Sequence, residues 1–428
     1  MLSQRRTAVF LMACLALLGG LITGQPLFFN VAYLLGLLLI AAFLWAWANI
    51  NWVYVSRITR SRRTQVGRPM DERFVVRNMS VVPKLWLEVR DFATLPGHRA
   101  SIVVSGLGPR GSYTWRVATV CTQRGRYQLG PIRLSTSDPF GLFPMTRDLT
   151  STTNVVVYPL TFNILQFALP VGILPGGDAL RRRTHYVTTN AAGVRDYEPG
   201  DSFNRIHWRS TARRNRLIVK EFELDPLADI WVVPDMSQFG HVAPPPPSLA
   251  DSGLPHWLRV KEYELPASTE EYTVTIAASL AQYFLRMDRS VGMLAYGQSN
   301  EVVQPDRSER QLNRILETLA VLRAVGQAPL PDVLHSEMYL FPRGTTLIVV
   351  TANPDEAWAP AARQLLRRGL RVVSVLVNPA SFGGGRSSEP LAQLLRANGQ
   401  VHYLVNYGDP LTAVLSTNKK QPGHFTIS

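Results

Sequence analysis

The chain is 428 residues long, 46% of its residues are hydrophobic, and its formal net charge is +14. This length predicts two or three domains, and a charged fraction of only 18% with 9% aromatic residues excludes a globally disordered chain. The two cysteines, Cys14 and Cys121, exclude a disulfide framework and a multi-cysteine zinc site.

The first predicted elements are two membrane-spanning helices in residues 1–60. Residues 7–56 contain no charged side chain, a run much longer than the roughly 20 residues that one crossing needs. Gly24, Gln25 and Pro26 interrupt this run. They predict a tight turn between one span at 8–23 and another at 27–50.

Arginines flank both spans and predict their orientation. Arg5 and Arg6 precede the first span, and no acidic residue occurs before Asp71. The arginines that follow the second span are Arg57, Arg60, Arg62 and Arg63. Because flanks rich in Lys and Arg stay on the cytoplasmic side, we expect a two-span protein of the cell (inner or plasma) membrane. Both termini and the soluble domains would then lie in the cytoplasm.

Two alternatives remain for these apolar residues. A cleaved signal peptide over the first span fits the basic start and the apolar middle, but no clear small-x-small cleavage site precedes Gln25. A buried hairpin in a soluble core is the other interpretation, and the length of the charge-free run disfavours it. A belt of Trp and Tyr at the end of the second span supports membrane insertion. Its predicted members are Trp45, Trp47, Trp52 and Tyr54.

Residues 61–165 are predicted to form a β-sandwich-like domain. Short apolar or alternating runs separated by turn residues are typical of such a sandwich. The predicted strands lie at 74–76, 85–89, 101–104, 113–120, 127–134 and 154–158. We expect no cluster of His, Cys and carboxylate residues in this segment and therefore no chemistry in it.

Residues 225–428 alternate between apolar strands and helical patterns, which predicts a parallel sheet covered by helices on both faces. The predicted strands lie at 229–234, 291–296, 345–351, 370–377 and 401–405. The predicted helices lie at 269–287, 308–322, 355–368 and 389–397. Ser268 and Glu271 form the pattern of a capping box at the start of the first of these helices.

A candidate metal site follows the first of these strands. Asp235 and Ser237 come directly after it, and Asn353 and Asp355 follow a later strand. Functional residues collect at the carboxyl ends of such strands, and oxygen ligands suit Mg²⁺. A polar strand end that caps the next turn is the competing interpretation, favoured because a single Asp-x-Ser is a weak motif. We expect no cofactor unless Mg²⁺ binds at this degenerate site.

An arginine-rich connector is predicted at residues 166–224. Within it, residues 181–220 contain ten basic side chains against three acidic ones, a net charge of +7 that is half of the total of +14. A turn is predicted to lead into a helix at 203–213, with Asp201 or Ser202 as its N-cap. Arg205, Arg209 and Arg213 would share one face of that helix, because they are four residues apart.

Two functions are open for these arginines. Guanidinium groups make bidentate contacts with phosphate and carboxylate, which predicts recognition of a nucleotide, an anionic lipid head group or an acidic protein surface. Alternatively, the arginines pair with Asp196, Glu198, Glu221 and Glu223 and lock the connector between two domains. Nucleic-acid binding is disfavoured, because no known basic and aromatic module is present.

The connector and two upstream segments resemble a known family. Residues 195–201 read Arg-Asp-Tyr-Glu-Pro-Gly-Asp and residues 205–208 read Arg-Ile-His-Trp. Upstream, residues 124–131 and 137–143 carry Arg-Gly-Arg-Tyr-Gln-Leu-Gly-Pro and Ser-Asp-Pro-Phe-Gly-Leu-Phe. This specific pattern resembles the bacterial family called domain of unknown function 58, over nearly the whole chain. The residues of the predicted binding or interdomain motif are Arg195, Tyr197, Pro199, Gly200, Asp201, Arg205, Trp208, Arg209, Arg213 and Lys220.

The resemblance implies a fold and a context. The fold is a membrane helical hairpin, a β-sandwich-like domain and an α/β von Willebrand factor A-like (Rossmann-like) domain. Related domains are thought to act as adaptors or assembly factors with MoxR-type AAA+ ATPases. Such proteins are often encoded beside these ATPases and beside membrane-bound transglutaminase-like proteins. The family has no established biochemical activity.

The chain departs from the metal-binding form of this fold at one position. A complete metal-ion-dependent adhesion site reads Asp-x-Ser-x-Ser, and the fifth place here is Phe239, which cannot ligate. Hard cations need several oxygen ligands, so metal binding at Asp235 and Ser237 is disfavoured.

The sequence as a whole predicts a membrane-anchored, cytoplasm-facing adaptor that binds protein partners, and not an enzyme. The expected partners are a MoxR-type AAA+ ATPase and other membrane proteins. His185 and His207 are the groups that most suggest catalysis, and neither has a nucleophile at a telling spacing. The alternatives are a divalent-metal-dependent ligand-binding module and an anionic-ligand-binding protein.

Overall fold

The chain divides into two compact units that meet in sequence between Leu160 and Thr161. The first, here called the β unit, contains residues 1–160, and the second, the α/β unit, contains most of the remainder. The residues that this computed structural model describes are 2–169, 191–197, 206–222, 229–243 and 265–416.

The β unit begins with two long apolar helices, α1 (Leu2–Thr23) and α2 (Pro26–Ile50). Gly24 has a φ of +67°, a left-handed conformation that suits glycine, and Pro26 occupies the start of α2. Both helices are long and apolar enough to cross a membrane, with mean hydropathies of 1.9 and 2.4 in their most apolar stretches. The predicted pair of apolar helices and the turn between them are therefore present.

The last turn of α2 packs onto the β-strands that follow it. Ile50 is part of their hydrophobic core. The buried ammonium group of Lys84 donates hydrogen bonds to the main-chain oxygens of Ala48 and Asn51. The side chain of Asn49 donates to the hydroxyl of Thr136 at 2.9 Å. Carbonyl groups that lack partners at a helix end are here satisfied by the β-strands.

Two sheets of the β unit enclose one core in the manner of a sandwich. The strands are β1 (Val53–Thr59), β2 (Arg63–Gln65), β3 (Pro69–Asn78), β4 (Lys84–Asp91), β5 (Ile102–Leu107), β6 (Ser112–Val120), β7 (Gly125–Leu129), β8 (Ile132–Thr136), β9 (Met145–Leu149) and β10 (Thr153–Tyr158). The sheet β1-β3-β6 and the sheet β5-β4-β8-β9 share that core, and a third sheet has the order β2-β10-β7. Phe74 and Val76 of β3 pack there with Leu87 and Val89 of β4.

Two expectations for this unit were wrong. The single strand predicted at 127–134 is two strands, β7 and β8, separated at Gly130. A Cβ atom at Gly130 would lie 2.8 Å from the main-chain oxygen of Ser151, so this turn requires glycine. The anchor was predicted to extend to residue 60, but α2 ends at Ile50 and Tyr54 belongs to β1.

The α/β unit alternates strands and helices as its sequence pattern predicts. Its elements are β11 (Ala191–Asp196), α3 (Trp208–Arg214), β12 (Ile218–Phe222), β13 (Ile230–Pro234), α4 (Thr269–Arg286), β14 (Val291–Tyr296), β15 (Asn300–Asp306), α5 (Glu309–Val321), α6 (Leu330–Ser336), β16 (Thr346–Thr351), α7 (Trp358–Arg367), β17 (Arg371–Val377), α8 (Glu389–Ala397), β18 (Val401–Val405) and α9 (Leu411–Leu415). Strands β11 and β12 form a separate antiparallel pair.

The main sheet has the strand order β15-β14-β13-β16-β17-β18. All its pairings are parallel except that of β14 with β15. Every residue of β13 is buried, and since successive side chains point to opposite faces, both faces are covered. Helices α6, α7 and α8 share one core cluster with Trp231 and Val233 of β13. Helix α4 also packs against β13.

The structure corrects two details of this unit. The edge strand β15 is antiparallel and was not predicted, because its residues are largely polar. Ser268 is the N-cap of α4, but its side chain makes no capping hydrogen bond, so the predicted capping box is absent. The hydroxyl of Thr269 instead accepts a hydrogen bond from the main-chain N–H of Val242 at 2.8 Å.

Candidate site at the carboxyl edge of the sheet

The candidate site lies at the carboxyl edge of the main sheet, where the loops after β13 and β16 meet. These two strands pair in parallel, with Pro234 opposite Val350, so they end at the same edge. The chain passes from β13 to β14 on one side and later returns to β16 on the other, which makes this a topological switch point. Open α/β sheets bind ligands in crevices of this kind.

Both carboxylate oxygens of Asp235 accept hydrogen bonds at this edge. The residue is 3% exposed. Oδ2 accepts the hydroxyl proton of Thr351, with 2.6 Å between the oxygens, and Oδ1 accepts from the N–H of Ser237 at 3.1 Å. Asp235 therefore links two loops through hydrogen bonds. This geometry favours such a structural role over a role as an open metal ligand.

Ser237 lies on the same loop, two residues after Asp235. It is 1% exposed, and its hydroxyl oxygen has no hydrogen-bond partner among the described residues. Phe239, two residues further on, is 40% exposed. Within the described ranges, no group of three His, Cys, Asp or Glu side chains could hold a metal ion.

Asn353 and Asp355 form consecutive turns before α7, and among the described residues neither side chain is hydrogen-bonded to Asp235. The side-chain oxygen of Asn353 accepts a hydrogen bond from the N–H of Asp355 at 3.1 Å. A carboxylate oxygen of Asp355 accepts from the N–H of Ala357 at 3.0 Å. Local turns of this type are the common use of Asn and Asp in loops, so these two residues shape the rim of the site.

A pocket of 490 Å³ opens beside these loops. Its polar groups come from three loops and include His241, Asp355 and Arg386. The Nε2 atom of His241 lies 3.0 Å from the main-chain oxygen of Asp235, so the tautomer with a proton on Nε2 donates to it. The residues that line the pocket are Phe239, Gly240, His241, Val242, Pro329, Asn353, Pro354, Asp355, Pro379, Gly384, Gly385 and Arg386.

Gly240 allows the loops after β13 and β16 to approach each other closely. Its φ is +79°, and a Cβ atom there would lie 2.5 Å from the main-chain oxygen of Ala352. Glycine is the residue that tolerates both conditions. The wall of the pocket therefore depends on this position, which the sequence analysis did not identify.

The helix in the arginine-rich connector starts later than predicted. It begins at Trp208, and His207 is its N-cap, with Nδ1 3.2 Å from the N–H of Ser210. Ile206, predicted to be helical, instead forms an isolated antiparallel bridge with Val219. Asp201, Ser202 and Arg205 lie outside the described residues, so the predicted caps and the first arginine of the row have no structural account. The expectation of a helix from residue 203 was wrong.

The described arginines of α3 face solvent. Arg209 and Arg213 are exposed, and Trp208 beside them is 65% exposed. Arg216 forms an ion pair with Asp196 at 3.0 Å, and both of these side chains are 58% exposed. The described arginines of this segment, Arg209, Arg213 and Arg216, are therefore exposed and not buried.

The remaining residues of the predicted motif are placed only in part. The N–H of Tyr197 donates to the main-chain oxygen of Leu217 at 3.0 Å, which continues the pairing of β11 with β12. Arg195 and Lys220 lie on these strands, and their side chains are outside the described part of the structure. Pro199 and Gly200 lie outside the described residues altogether.

The β unit contains a buried ionic cluster that the sequence analysis missed, so the expectation of no cluster of His and carboxylates there was wrong. His98 places Nε2 3.0 Å from Asp91 and 3.3 Å from Glu72. Arg57 pairs with both carboxylates, with its Nε 3.4 Å from Glu72. These four side chains are at most 7% exposed.

The two carboxyl groups of this cluster differ in acidity. Burial raises the pKa of Glu72 above 4.5, although Arg57 and His98 oppose it. Burial also disfavours the charge on Asp91, but hydrogen bonds from His98 and Arg57 outweigh burial and lower its pKa. Glu72 is therefore the carboxyl group of the pair that takes up a proton more readily.

Long-range pairing explains why this cluster was missed. Its members come from β1, β3, the end of β4 and the turn before β5, and no two are neighbours along the chain. A carboxylate at an inward position of β3 was the available signal, because charged residues are rarely buried without a partner.

Comparison with curated proteins finds a distant relative of the chain. The "Uncharacterized protein YeaD" of Bacillus subtilis (strain 168) is 20% identical over 219 residues, which is 50% of this chain and 47% of that protein. The chain thus spans about half the length of the curated relative it matches.

Comparison with solved structures gives only distant likenesses. The CARDB domain of the PF1109 protein from Pyrococcus furiosus is 18% identical, with a TM-score of 0.19, and covers 24% of this chain and 91% of that domain. A cycloisomaltooligosaccharide glucanotransferase from Paenibacillus sp. is 12% identical, with a TM-score of 0.17, and covers 82% of this chain and 53% of that enzyme. Scores this low carry no argument about fold or activity.

A family model gives the more informative match. The model described as "Protein of unknown function DUF58" matches residues 193–242. These residues include the described part of the arginine-rich motif, strand β13 and the loop with Asp235 and Ser237. The resemblance to this family, whose function is unknown, is thus supported over the segment that joins the connector to the candidate site.

Proposed function

We propose that this protein is a membrane-anchored adaptor that binds protein partners through its α/β unit. The observation that carries the proposal is the state of Asp235, whose two carboxylate oxygens are both used within the protein. The site beside it is a pocket with exposed Phe239 at its wall and one cationic side chain, Arg386. Such a surface suits recognition of a partner better than bond-breaking chemistry.

The two apolar helices support the anchor. Large apolar side chains along both are exposed, including Phe10, Leu21 and Leu37, and a bilayer would cover them. Arginines at the start of α1 and after α2, with no acidic residue before Asp71, favour a cytoplasmic location for both ends of the hairpin. In this proposal the β unit and the α/β unit are cytoplasmic.

The topology of the main sheet supports a von Willebrand factor A-like assignment for the α/β unit. The first strand, β13, is central, and the one antiparallel strand of this sheet, β15, lies at its edge. Open α/β sheets bind their ligands outside the carboxyl ends of the strands. We place the partner at the loops after β13 and β16 on this basis.

The arginines of α3 support a partner with an acidic surface. Arg209 and Arg213 are exposed on one short helix beside Trp208, and Arg and Trp are enriched at the centres of protein interfaces. The family resemblance suggests the class of partner, a MoxR-type AAA+ ATPase. Other membrane proteins would be recruited to that ATPase by the adaptor.

Site-specific photocrosslinking tests this proposal. A photoreactive phenylalanine analogue at Phe239 of the full-length protein, in membranes of the source cell, should capture an AAA+ ATPase in an ATP-dependent manner. Leu366 is the matched control, because it is 37% exposed and lies near the end of α7. That helix returns the chain to the amino edge of the sheet. Equal capture at both positions, or capture of no ATPase at Phe239, would contradict the proposal.

A divalent-metal-dependent ligand-binding module is the second candidate. The buried hydroxyl of Ser237, which lacks a hydrogen-bond partner among the described residues, favours it. The engagement of both oxygens of Asp235 counts against it, since a hard cation needs several free oxygen ligands. Calorimetry with Mg²⁺ and Mn²⁺, described below, separates the two candidates.

A further inference from the structure

An apolar groove of 530 Å³ lies where α1 and α2 meet a loop of the β-sandwich. Helix α1 contributes Arg6 and Phe10, α2 contributes Leu39, Ile40 and Phe43, and the loop contributes Phe143. Arg6 is near the start of α1, and the α2 residues lie one to three turns before the end of that helix. The groove is therefore at the end of the hairpin from which the soluble chain departs.

The loop that closes the groove is held rigidly by one buried acid. Asp138, 2% exposed, accepts hydrogen bonds from the N–H of Phe143 at 2.6 Å and the N–H of Phe140 at 2.9 Å. The ring of Phe143 packs edge-on against Phe43 of α2, with 5.6 Å between centroids. Phe140 is left 58% exposed on the same loop. This loop is residues 137–143, the Ser-Asp-Pro-Phe-Gly-Leu-Phe segment of the family resemblance. The proposed adaptor function does not explain the presence of this segment.

Arg6 supplies the one charged side chain in the groove. Its guanidinium carbon lies 5.8 Å from the centroid of the Phe143 ring. Residues 1–70 contain no acid, and no carboxylate among the described residues forms an ion pair with Arg6. A cation that forms no ion pair with a described carboxylate, next to an apolar groove, is complementary to an anionic amphiphile.

We propose that this groove binds one anionic glycerophospholipid. Its phosphate contacts the guanidinium group of Arg6, and an acyl chain lies along Phe10, Leu39 and Ile40. The proposal rests on the membrane anchor proposed above, because a bilayer supplies the lipid. A lipid with a zwitterionic head group carries a second, positive charge that Arg6 repels, so the site discriminates by head-group charge.

Native mass spectrometry of the full-length protein in a neutral detergent tests this site. The probes are dioleoylphosphatidylglycerol and dioleoylphosphatidylcholine, which share acyl chains and differ in head-group charge. We expect one tightly retained phosphatidylglycerol per chain, favoured about fivefold over phosphatidylcholine, as one arginine facing an anionic head group should give. Inorganic phosphate in excess should leave the adduct in place, because the acyl chain contributes to binding. Loss of the adduct to phosphate alone would overturn the lipid assignment.

Matched variants separate head-group recognition from general charge. Arg6→Gln should abolish the preference, whereas Arg5→Gln, which removes the same charge one residue away and outside the groove, should retain it. Ile40→Trp fills the groove at an exposed position and should weaken the adducts of both lipids. Equal effects of the two arginine variants, or unchanged adducts in Ile40→Trp, would overturn the proposal.

The anchor is tested separately on the same samples. Retention of the wild-type protein and of both arginine variants in membranes after alkaline carbonate washing would support the anchor. If the protein stays in the membrane but shows no head-group preference, the groove proposal fails and the adaptor proposal stands. If carbonate releases the protein, the anchor itself fails.

Discussion

Thr351 donates its hydroxyl proton to the buried carboxylate of Asp235, 2.6 Å away, from the neighbouring parallel strand. Asp235 follows β13 and Thr351 ends β16, so this bond joins the two loops that flank the switch point of the sheet. The same hydroxyl oxygen accepts from the N–H of Asn353 at 3.0 Å. One threonine thus sets the spacing of both loops at the edge of the pocket.

Replacement of this threonine should loosen the site. Thr351→Val keeps the shape of the side chain and leaves a buried carboxylate short of one hydrogen bond, which costs about 1–3 kcal/mol. We expect a lower unfolding temperature for the full-length protein in detergent and weaker photocrosslinking from Phe239. Thr351→Ser retains the hydroxyl and serves as the control. If the valine variant matched the serine variant, the hydrogen bond would have no role in positioning the loops.

Divalent cations should not bind at Asp235. Both of its carboxylate oxygens are engaged and Phe239 replaces the last serine of the complete motif, so too few oxygen ligands remain for Mg²⁺. Isothermal titration of the full-length protein with MgCl₂ and MnCl₂ should give the same heats for the wild type and for Asp235→Asn. A binding heat present in the wild type and lost in the variant would instead establish the metal-dependent alternative.

Asp91 and Glu72 of the buried ionic cluster should make the free energy of unfolding depend on pH in opposite directions. The pKa of Asp91 is lowered, so its ionised form stabilises the fold above its ordinary value of 3.8, and this contribution is lost as the pH falls through the folded value. The pKa of Glu72 is raised, so its contribution is present below 4.5 and is lost as the pH rises through the folded value. Urea unfolding from about pH 2 to about pH 8 covers both ranges and measures both contributions to the free energy of unfolding.

Two variants assign these contributions. Asp91→Asn breaks a buried pair and should cost about 3–5 kcal/mol at neutral pH. Glu72→Gln removes the group whose ionisation opposes folding, so its stability relative to the wild type should rise with pH. The exposed Glu309→Gln in the α/β unit is the control and should follow the wild type throughout. A Glu72→Gln curve parallel to that of the wild type would show that Glu72 does not titrate in this range.

Charge reversal on α3 should impair partner binding without unfolding the protein. Arg209→Glu with Arg213→Glu changes two exposed side chains, so the unfolding temperature should remain within a few degrees of the wild type while capture of the ATPase falls. The control reverses Arg367 and Arg368, also exposed, at the end of α7. If the α3 variant unfolded at a much lower temperature, these arginines would belong to a structural lock.

Thiol labelling tests the orientation of the hairpin. Cys14 lies within α1, and Cys121 is buried with a pKa raised by burial to about 11, so both native thiols should resist a membrane-impermeant maleimide. In spheroplasts, Gln25→Cys in the turn between the helices should react, whereas Ser61→Cys after β1 should react only after permeabilisation. The opposite pattern would place the soluble units outside the cytoplasm.

Sequence periodicity correctly predicted those elements of the α/β unit that have either a continuous apolar run or apolar residues at helical spacing. Strands β14 and β18 and helix α8 begin and end where expected, because continuous apolar runs or helical spacing are bounded there by Gly, Asn or Ser. Strand β15 was missed because an edge strand with one exposed face carries mostly polar residues. Helix α6 was missed because two prolines near its start indicate a loop.

Only those features of the candidate site that depend on residues close together in the sequence could be predicted. The position of Asp235 and Ser237 at a strand end followed from the strand pattern, whereas the hydrogen bond from Thr351 depends on which strands are neighbours. His207 was considered for catalysis and instead caps α3, a role that depends on where that helix begins. The Arg57–His98 cluster required knowledge of four separate elements, which no spacing along the chain conveys.

The contact of Lys84 with the end of α2 has a mechanical consequence. Its ammonium group binds the oxygens of Ala48 and Asn51, and burial lowers its pKa, while Asn49 is tied to Thr136. No flexible linker therefore separates the second helix from the sandwich. Force applied to the sandwich is transmitted directly to α2. We therefore expect the sandwich and this helix to tilt together in the bilayer as one rigid body.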